Sequence, residues 1–378
     1  MISKDSLLKL SIKIKSLAIE HGFQQARISD LNTSDYFSNY QSWIDDGYNG
    51  DMGYLARNLD LRKDPSQLHL GSCRVISLSY NYLPKDAKFS EVLSNPDLAN
   101  ISRYALGRDY HKLMRNKLKK LAETIKTHCQ QLDYRVLVDS APLLETCFAE
   151  KSGLGWKGKH TLLINKQAGS WFFLGEILIN IELPTDEATD NLCGECNSCI
   201  NLCPTGAIIA PYKLDARKCI SYLTIENQGP IPIEYRDLIG NRIYGCDDCQ
   251  LACPWNRQAY LTEESDFKPR HQLDSSRLID LFNWSEDEFN QRLAGNPIRR
   301  IGFQLWQRNI AVGLGNSSYS KQAIEALERR KTTASDLVIE HIDWAIIKLN
   351  KQKIKASLTS AKTTKLIRTV NKMLPRDA

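Results

Sequence analysis

Apolar residues recur every three or four positions along residues 6–21, with lysines between them, and the pattern stops at Gly22, a usual left-handed helix terminator. The spacing predicts a helix there and a longer amphipathic one over 110–132. Residues 74–83 are apolar and rich in β-formers, 134–138 read as a short buried strand, and 161–165 with 171–180 read as a strand pair around a turn at 166–170. Residues 1–180 are therefore mixed α/β. Residues 181–260 lose the periodicity and are dense in Gly, Pro, Asn and Cys. From about 275 the three-and-four spacing returns over 299–314, 321–330 and 336–350, short segments with polar breaks that suggest a helical-repeat pair. The expected class is α+β, with an α/β domain at 1–180, a cysteine module at 181–260 and a helical region at 275–378.

Composition adds little until its distribution is considered. The apolar share of 42% and charged share of 25% over 378 residues are those of a globular protein with a core. No apolar run is long enough for a membrane span, and the N-terminal segment lacks a signal-peptide pattern, so a cytoplasmic protein is expected. Net charge is +6, but from Lys348 onward nine Lys and Arg stand against one acidic residue, a local +8 that leaves −2 for the rest. That tail is either a solvated end or a contact for a polyanion.

Eight of the eleven cysteines fall between Cys193 and Cys253. The first run, Cys193-x2-Cys196-x2-Cys199-x3-Cys203-Pro204, has the bacterial ferredoxin spacing, in which three thiolates wrap one cubane and the fourth turns to the other. The second run, Cys246-x2-Cys249-x3-Cys253-Pro254, has Ile243 where its first cysteine would stand. Cys219, between the runs, supplies the missing ligand. One 4Fe–4S cluster then takes Cys193, Cys196, Cys199 and Cys253, and the other takes Cys203, Cys219, Cys246 and Cys249. Two four-cysteine zinc sites are the competing reading, but zinc needs only paired Cys-x2-Cys knuckles and no Cys-Pro.

A plain electron carrier would not require the 180 residues ahead of this module. In them, Val138-Asp139-Ser140-Ala141-Pro142-Leu143-Leu144-Glu145 and Gly153-Leu154-Gly155-Trp156-Lys157-Gly158-Lys159-His160 stand out, with Tyr54-Leu55-x-Arg57 before them. Together with Cys246-Asp247-Asp248-Cys249-Gln250, Cys253-Pro254-Trp255-Asn256, and Arg299-Arg300 with Arg308-Asn309, they resemble the epoxyqueuosine reductase family over nearly the whole chain. The resemblance implies a reductive-dehalogenase-like cobalamin domain, a two-cluster ferredoxin module and a HEAT-like helical domain. It implies reduction of epoxyqueuosine to queuosine at the wobble position of tRNA, the last step of queuosine synthesis, with cobalamin and two 4Fe–4S clusters. The expected partners are that tRNA and an electron donor of flavodoxin or ferredoxin type, with the enzyme a monomer and no membrane contact.

Removing the epoxide oxygen takes two electrons and two protons, and the departing oxygen needs an acid beside it. The family's proton donor matches Asp139, at the end of a predicted strand; from spacing alone, helix capping by Asp139 or Ser140 ahead of Glu145 is as good a reading. Gly153-x-Gly155-x-x-Gly158 follows no good strand, so it reads less as a dinucleotide loop than as backbone lying close to a large flat cofactor, with Lys159 and His160 beside it. His160 is a candidate axial ligand or an ordinary hydrogen-bonded histidine. Asp109-Tyr110-His111, followed by Met114, does not complete the base-off cobalamin signature, and His111 reads as part of a helix start. Arg57 and Arg62 are candidates for cofactor amides or phosphate; Ser221, Tyr222, Gly245, Cys246 and Asp247 are held near the clusters and can touch a neighbouring cofactor. For tRNA the candidates are Arg299, Arg300, Arg308, Lys351, Lys353 and Lys355, with the tail forming a basic stripe beside helix 299–309. A small-organohalide reductase lacking an export signal and a non-catalytic electron-transfer protein are the alternatives.

Overall fold

The computed structural model describes residues 3–85, 87–352 and 360–373. The chain folds as two compact units, one of residues 1–82, 110–196 and 258–260, the other of 83–109, 197–257 and 261–378.

The first unit is built on a four-stranded antiparallel sheet of β1 (Gln25–Ser29), β2 (Arg74–Asn81), β3 (Tyr134–Leu137) and β4 (Phe172–Ile179), in the order β1-β2-β4-β3. Helix α1 (Lys4–Glu20) opens where the Ser3 hydroxyl accepts the Ser6 N–H at 3.2 Å and closes at Gly22, whose φ of 88° a residue with a Cβ would resist. Helix α2 (Tyr110–His128) buries Met114, Leu118, Leu121, Ala122 and Ile125, one stripe at helical spacing. A Cβ at Gly175 of β4 would stand 2.8 Å from Leu118, so glycine is what lets α2 approach the sheet. Glu176, the next residue, therefore faces the opposite side. There α3 (Glu145–Lys151) packs Phe148 against Val75, Leu137 and Leu178.

The expected pairing of 161–165 with 171–180 does not form. Strand β4 pairs with β2 and β3, while Leu163–Ile164 pairs with Trp156–Lys157; only a bridge between Asn165 and Gly169 marks the predicted turn. An apolar run records burial on both faces and not the identity of its neighbours, which here lie far away in sequence.

In the second unit, short helices α4 (Ser198–Leu202), α5 (Ile220–Ile225) and α6 (Asp248–Leu251) carry or adjoin the cysteines. They are followed by α7 (Gly302–Gly315), α8 (Lys321–Lys331), α9 (Asp336–Gln352) and α10 (Ala361–Met373). Residues Pro297–Ile301 form a 3-10 turn, so the first long helix begins three residues later than its apolar pattern suggests. Helix α7 is buried from Leu305 to Gly315 on every side, the mark of a central helix; α9 packs along it, α8 packs on α9, and all three contribute to one core.

Candidate functional site

Asp139 lies two residues beyond β3 with φ at 38°, a conformation that a residue with a side chain adopts only when its surroundings impose it. The local contacts supply that constraint. The Asp139 N–H donates to Glu145 Oε1 at 2.5 Å, and its carboxylate accepts from the Tyr110 hydroxyl and lies 3.2 Å from His111 Nε2. Its side chain nevertheless keeps 55% of its surface open. Asp139 does not cap α3: the N-cap position is Leu144, and the hydrogen bond runs from the Asp139 backbone to the first residue of the helix. Beside it the rings of His111, Tyr110 and Phe173 stack, with centroids 4.2 and 3.9 Å apart, and Tyr82 lies 4.6 Å from Phe173. This aromatic shelf next to a half-open acid suits a large, flat, partly apolar ligand.

Behind Asp139 stand two further carboxyl groups. Glu176 is wholly buried at the centre of β4, paired in register with Ser77 on one side and Leu137 on the other. Burial, and then the neighbouring Glu145 carboxylate, raise Glu176 well above the usual carboxylate range. Glu145 rises to about 8, first through burial and then through Asp139. Sequence reading used Glu145 only as a capping signal and missed Glu176, although a lone charge within Phe172–Ile179 was a visible sign.

In the second unit, Cys199, Cys203, Cys219 and Cys249 share one small core with Ala207, Ile208 and Leu214. Cys219 interacts with Cys203 and Cys246, and Cys249 with Cys219, Cys203 and Cys199. Cys203, Cys219, Cys246 and Cys249 thus lie near one another, with Cys199 beside them. Burial raises Cys219, Cys246 and Cys249 as free thiols, so a metal must offset the cost of their ionisation. The N–H groups of Ser221 and Tyr222 point at the Cys219 sulfur, and Ala207 N–H lies 3.3 Å from Cys203 Sγ, contacts that stabilise thiolates on iron. Cys193 and Cys196 lie in the first unit, where Lys159 Nζ donates to the carbonyls of Gly194 and Cys196 at 2.8 and 2.9 Å. Lys159 therefore fastens the first cysteine loop.

Several expected contacts are spent within the protein. A Cβ at Gly155 would meet the Ile164 carbonyl at 2.3 Å, and one at Gly158 would meet the Ile164 side chain at 2.6 Å. These two glycines let the loop close against its own hairpin. His160 is buried, and Nδ1 accepts the Leu162 N–H at 3.2 Å, which puts the ring proton on Nε2, an atom without a hydrogen-bond partner among the described residues. Burial lowers its pKa to about 4. Arg62 is buried over the Tyr40 ring, with its Nε lacking a hydrogen-bond partner among the described residues, while Arg57 is exposed. Gly245, at φ 68°, donates its N–H to Thr224 Oγ1, and the buried Asp247 carboxylate accepts from Ser102 Oγ and Arg103 N.

The candidate RNA contacts divide. Arg308 is fully buried and spends its guanidinium on the carbonyls of Leu223, Asn227 and Gly229, so it is a structural arginine with nothing left for phosphate. Arg299 and Lys351 are exposed, and Arg300 is exposed but paired with Glu226 at 2.8 Å. Lys353 and Lys355 lie outside the described residues. Among the described residues of the tail, 348–352 end α9, which packs on α7, whereas α10 packs mainly elsewhere. Helix α10 buries Leu366 and Val370 and packs on helix Phe89–Ser94, α4 and α6, and Lys362 Nζ reaches the Cys203 carbonyl at 2.6 Å.

Comparison with known proteins agrees with this geometry. Residues 192–256 match the 4Fe-4S double cluster binding domain, and residues 62–140 match the family model "Epoxyqueuosine reductase QueG, DUF1730". An epoxyqueuosine reductase of Escherichia coli is 52% identical over 374 residues, covering 98% of both chains. One from Vibrio cholerae is 50% identical, covering 98% of this chain and 99% of its own. A crystal structure of an epoxyqueuosine reductase with an epoxyqueuosine-modified tRNA-Tyr stem loop superposes with a TM-score of 0.81 at 25% identity, over 96% of this chain and 99% of that one. A Bacillus subtilis epoxyqueuosine reductase whose catalytic aspartate loop is swung out of the active site matches with the same TM-score and identity, over 97% and 99%.

Proposed function

Because the chain belongs to the epoxyqueuosine reductase family, we propose that it removes the epoxide oxygen of epoxyqueuosine at the wobble position of tRNA, with cobalamin and two 4Fe–4S clusters. The observation that carries this reading within the site is Asp139, a half-open carboxyl held in left-handed backbone beside an aromatic shelf. The reaction balances as epoxide plus two electrons and two protons giving alkene and water. Cobalamin, when bound, supplies a strongly nucleophilic, low-potential cobalt for the strained ring. The protein supplies the acid: Asp139 donates a proton to the departing oxygen, and the Tyr110 hydroxyl and His111 fix the direction in which the carboxyl points.

The cluster ligands are Cys193, Cys196, Cys199 and Cys253 for one cubane, on spacing, and Cys203, Cys219, Cys246 and Cys249 for the other, on spacing and proximity. Two such clusters pass electrons singly, which suits a donor of flavodoxin or ferredoxin type. Residues 1–180 act as the cofactor and catalytic region and 275–378 as the RNA-binding region, through the exposed Arg299 and Lys351 and through Arg300. A bacterial strain without its own reductase accumulates epoxyqueuosine in tRNA. Expression of this chain restores queuosine if the reading is right; persistence of epoxyqueuosine despite cluster- and corrinoid-loaded protein refutes it.

A further inference from the structure

Two protons are needed for each epoxide reduced, and Asp139 carries one at a time. The second must reach the same carboxyl while substrate and cofactor cover it. The residues behind Asp139 are arranged for that task. Glu145 accepts the backbone N–H of Asp139 at 2.5 Å, the two carboxyl groups act on each other electrostatically, and Glu176 lies beyond Glu145 in the sheet interior. Neither oxygen of Glu176 meets a donor among the described residues, and its hydrogen-bonding neighbour is the Glu145 carboxylate. Glu176 is wholly buried and Glu145 is half-buried, and two such carboxyl groups in contact keep at least one proton on the pair at rest. The charged and titratable groups acting on the pair are Asp139 and His111, with Tyr110 bonded to Asp139.

We propose that Glu145 and Glu176 form a proton-holding carboxyl pair that reloads Asp139 with the second proton of each turnover. The first proton leaves Asp139 for the epoxide oxygen. The Glu176 O–H bond then breaks as a Glu145 O–H bond forms, and the Glu145 O–H breaks as Asp139 Oδ–H is restored; no electrons move in these steps. The second proton leaves Asp139 with the oxygen as water, and Asp139 and the pair each regain one proton from solvent once the site reopens. Glu145 and Glu176 are positioning and relay residues acting through Asp139, and the proposal rests on the donor role given to Asp139 above.

The test uses Glu176→Gln, which keeps the shape and can still donate to Glu145 but cannot give up a proton. Infrared difference spectra of the purified holoprotein, wild type minus Glu176→Gln at neutral pH, should show the carbonyl band of a buried protonated carboxylic acid. Turnover on epoxyqueuosine tRNA should fall about 10- to 100-fold, and the alkaline limb of the pH–rate profile should move, with iron and cobalt content unchanged. An absent acid band, or a pH profile that superposes on wild type, overturns the relay. If the variant does not fold, the wild type alone decides: its buried-acid band must fade as pH is raised, and a wild type without such a band refutes the pair. Asp139→Asn separates the two claims. Normal turnover in that variant removes the donor itself, whereas an inactive Asp139→Asn beside an unaltered Glu176→Gln profile removes only the relay.

Discussion

Left-handed backbone at Asp139 costs on the order of 1 kcal/mol or more, and the Glu145 acceptor and the Tyr110 hydroxyl offset that cost while aiming the carboxyl. The same carboxyl cluster should set part of the stability profile. Glu145 moves from an ordinary 4.5 to about 8, and Glu176 moves in the same direction, so the folded state holds these protons more tightly than the unfolded chain. Their contribution is complete below about pH 4.5 and is lost as pH rises through about 8. Denaturant midpoints between pH 5 and 9 should therefore fall in the wild type and fall less in Glu176→Gln; parallel curves would contradict the shared burial. Among the cysteines, Cys219→Ala should cost one cluster and spare the other, read as about half the iron and the loss of one EPR signal. Two intact clusters would reject the assignment. Arg308→Ala leaves three buried carbonyls without their donor, at about 1–3 kcal/mol each, and should lower thermal stability strongly. The double-cluster module was legible because its cysteine spacing carries the chemistry, whereas Asp139 was singled out by the family resemblance, spacing alone leaving helix capping an equal reading. Glu176 was overlooked because its role depends on a neighbour 31 positions away in sequence, and Arg308 was misjudged because charge in a sequence does not show burial.

At the level of elements, the periodicity located α1, α2 and α7 to α9 closely, since each buries one stripe or, for α7, every side from Leu305 to Gly315. It could not show that β4 lies between β2 and β3, nor which surface the tail helix would meet. Helix α10 docks through Leu366 and Val370; the expected neighbour of the tail was α7, and the observed ones are the cysteine-bearing α4 and α6 with helix Phe89–Ser94. The helix is thereby tied to the clusters: Lys362 holds the carbonyl of Cys203. Truncation after Gln352 should accordingly hasten cluster loss in air or chelator, followed by the decay of the broad iron–sulfur absorbance. Decay at the wild-type rate would leave α10 without a role at the clusters. Salt titrations of tRNA binding on the same truncation report separately on Lys365, Arg368 and Lys372, because the log–log slope flattens by roughly 0.7–0.9 for every phosphate that the protein no longer neutralises.

Taken as a molecule, the chain joins an acid-bearing α/β unit to a unit containing most of the cluster cysteines and a helical array, and it shares about half its residues with epoxyqueuosine reductases along its full length. Among the described residues no helix is long and apolar enough to cross a membrane. The account requires electrons from the clusters and a proton from Asp139 to meet at one epoxide in a tRNA. Nucleoside mass spectrometry tests this directly, after anaerobic incubation of reduced, cluster- and corrinoid-loaded protein with epoxyqueuosine tRNA, run beside an equally loaded Asp139→Asn variant. The wild type should convert the nucleoside to one lacking a single oxygen, and the variant should do so about 100-fold more slowly or less. A fully loaded wild type that leaves epoxyqueuosine intact, or a variant that matches it in rate, would contradict the account.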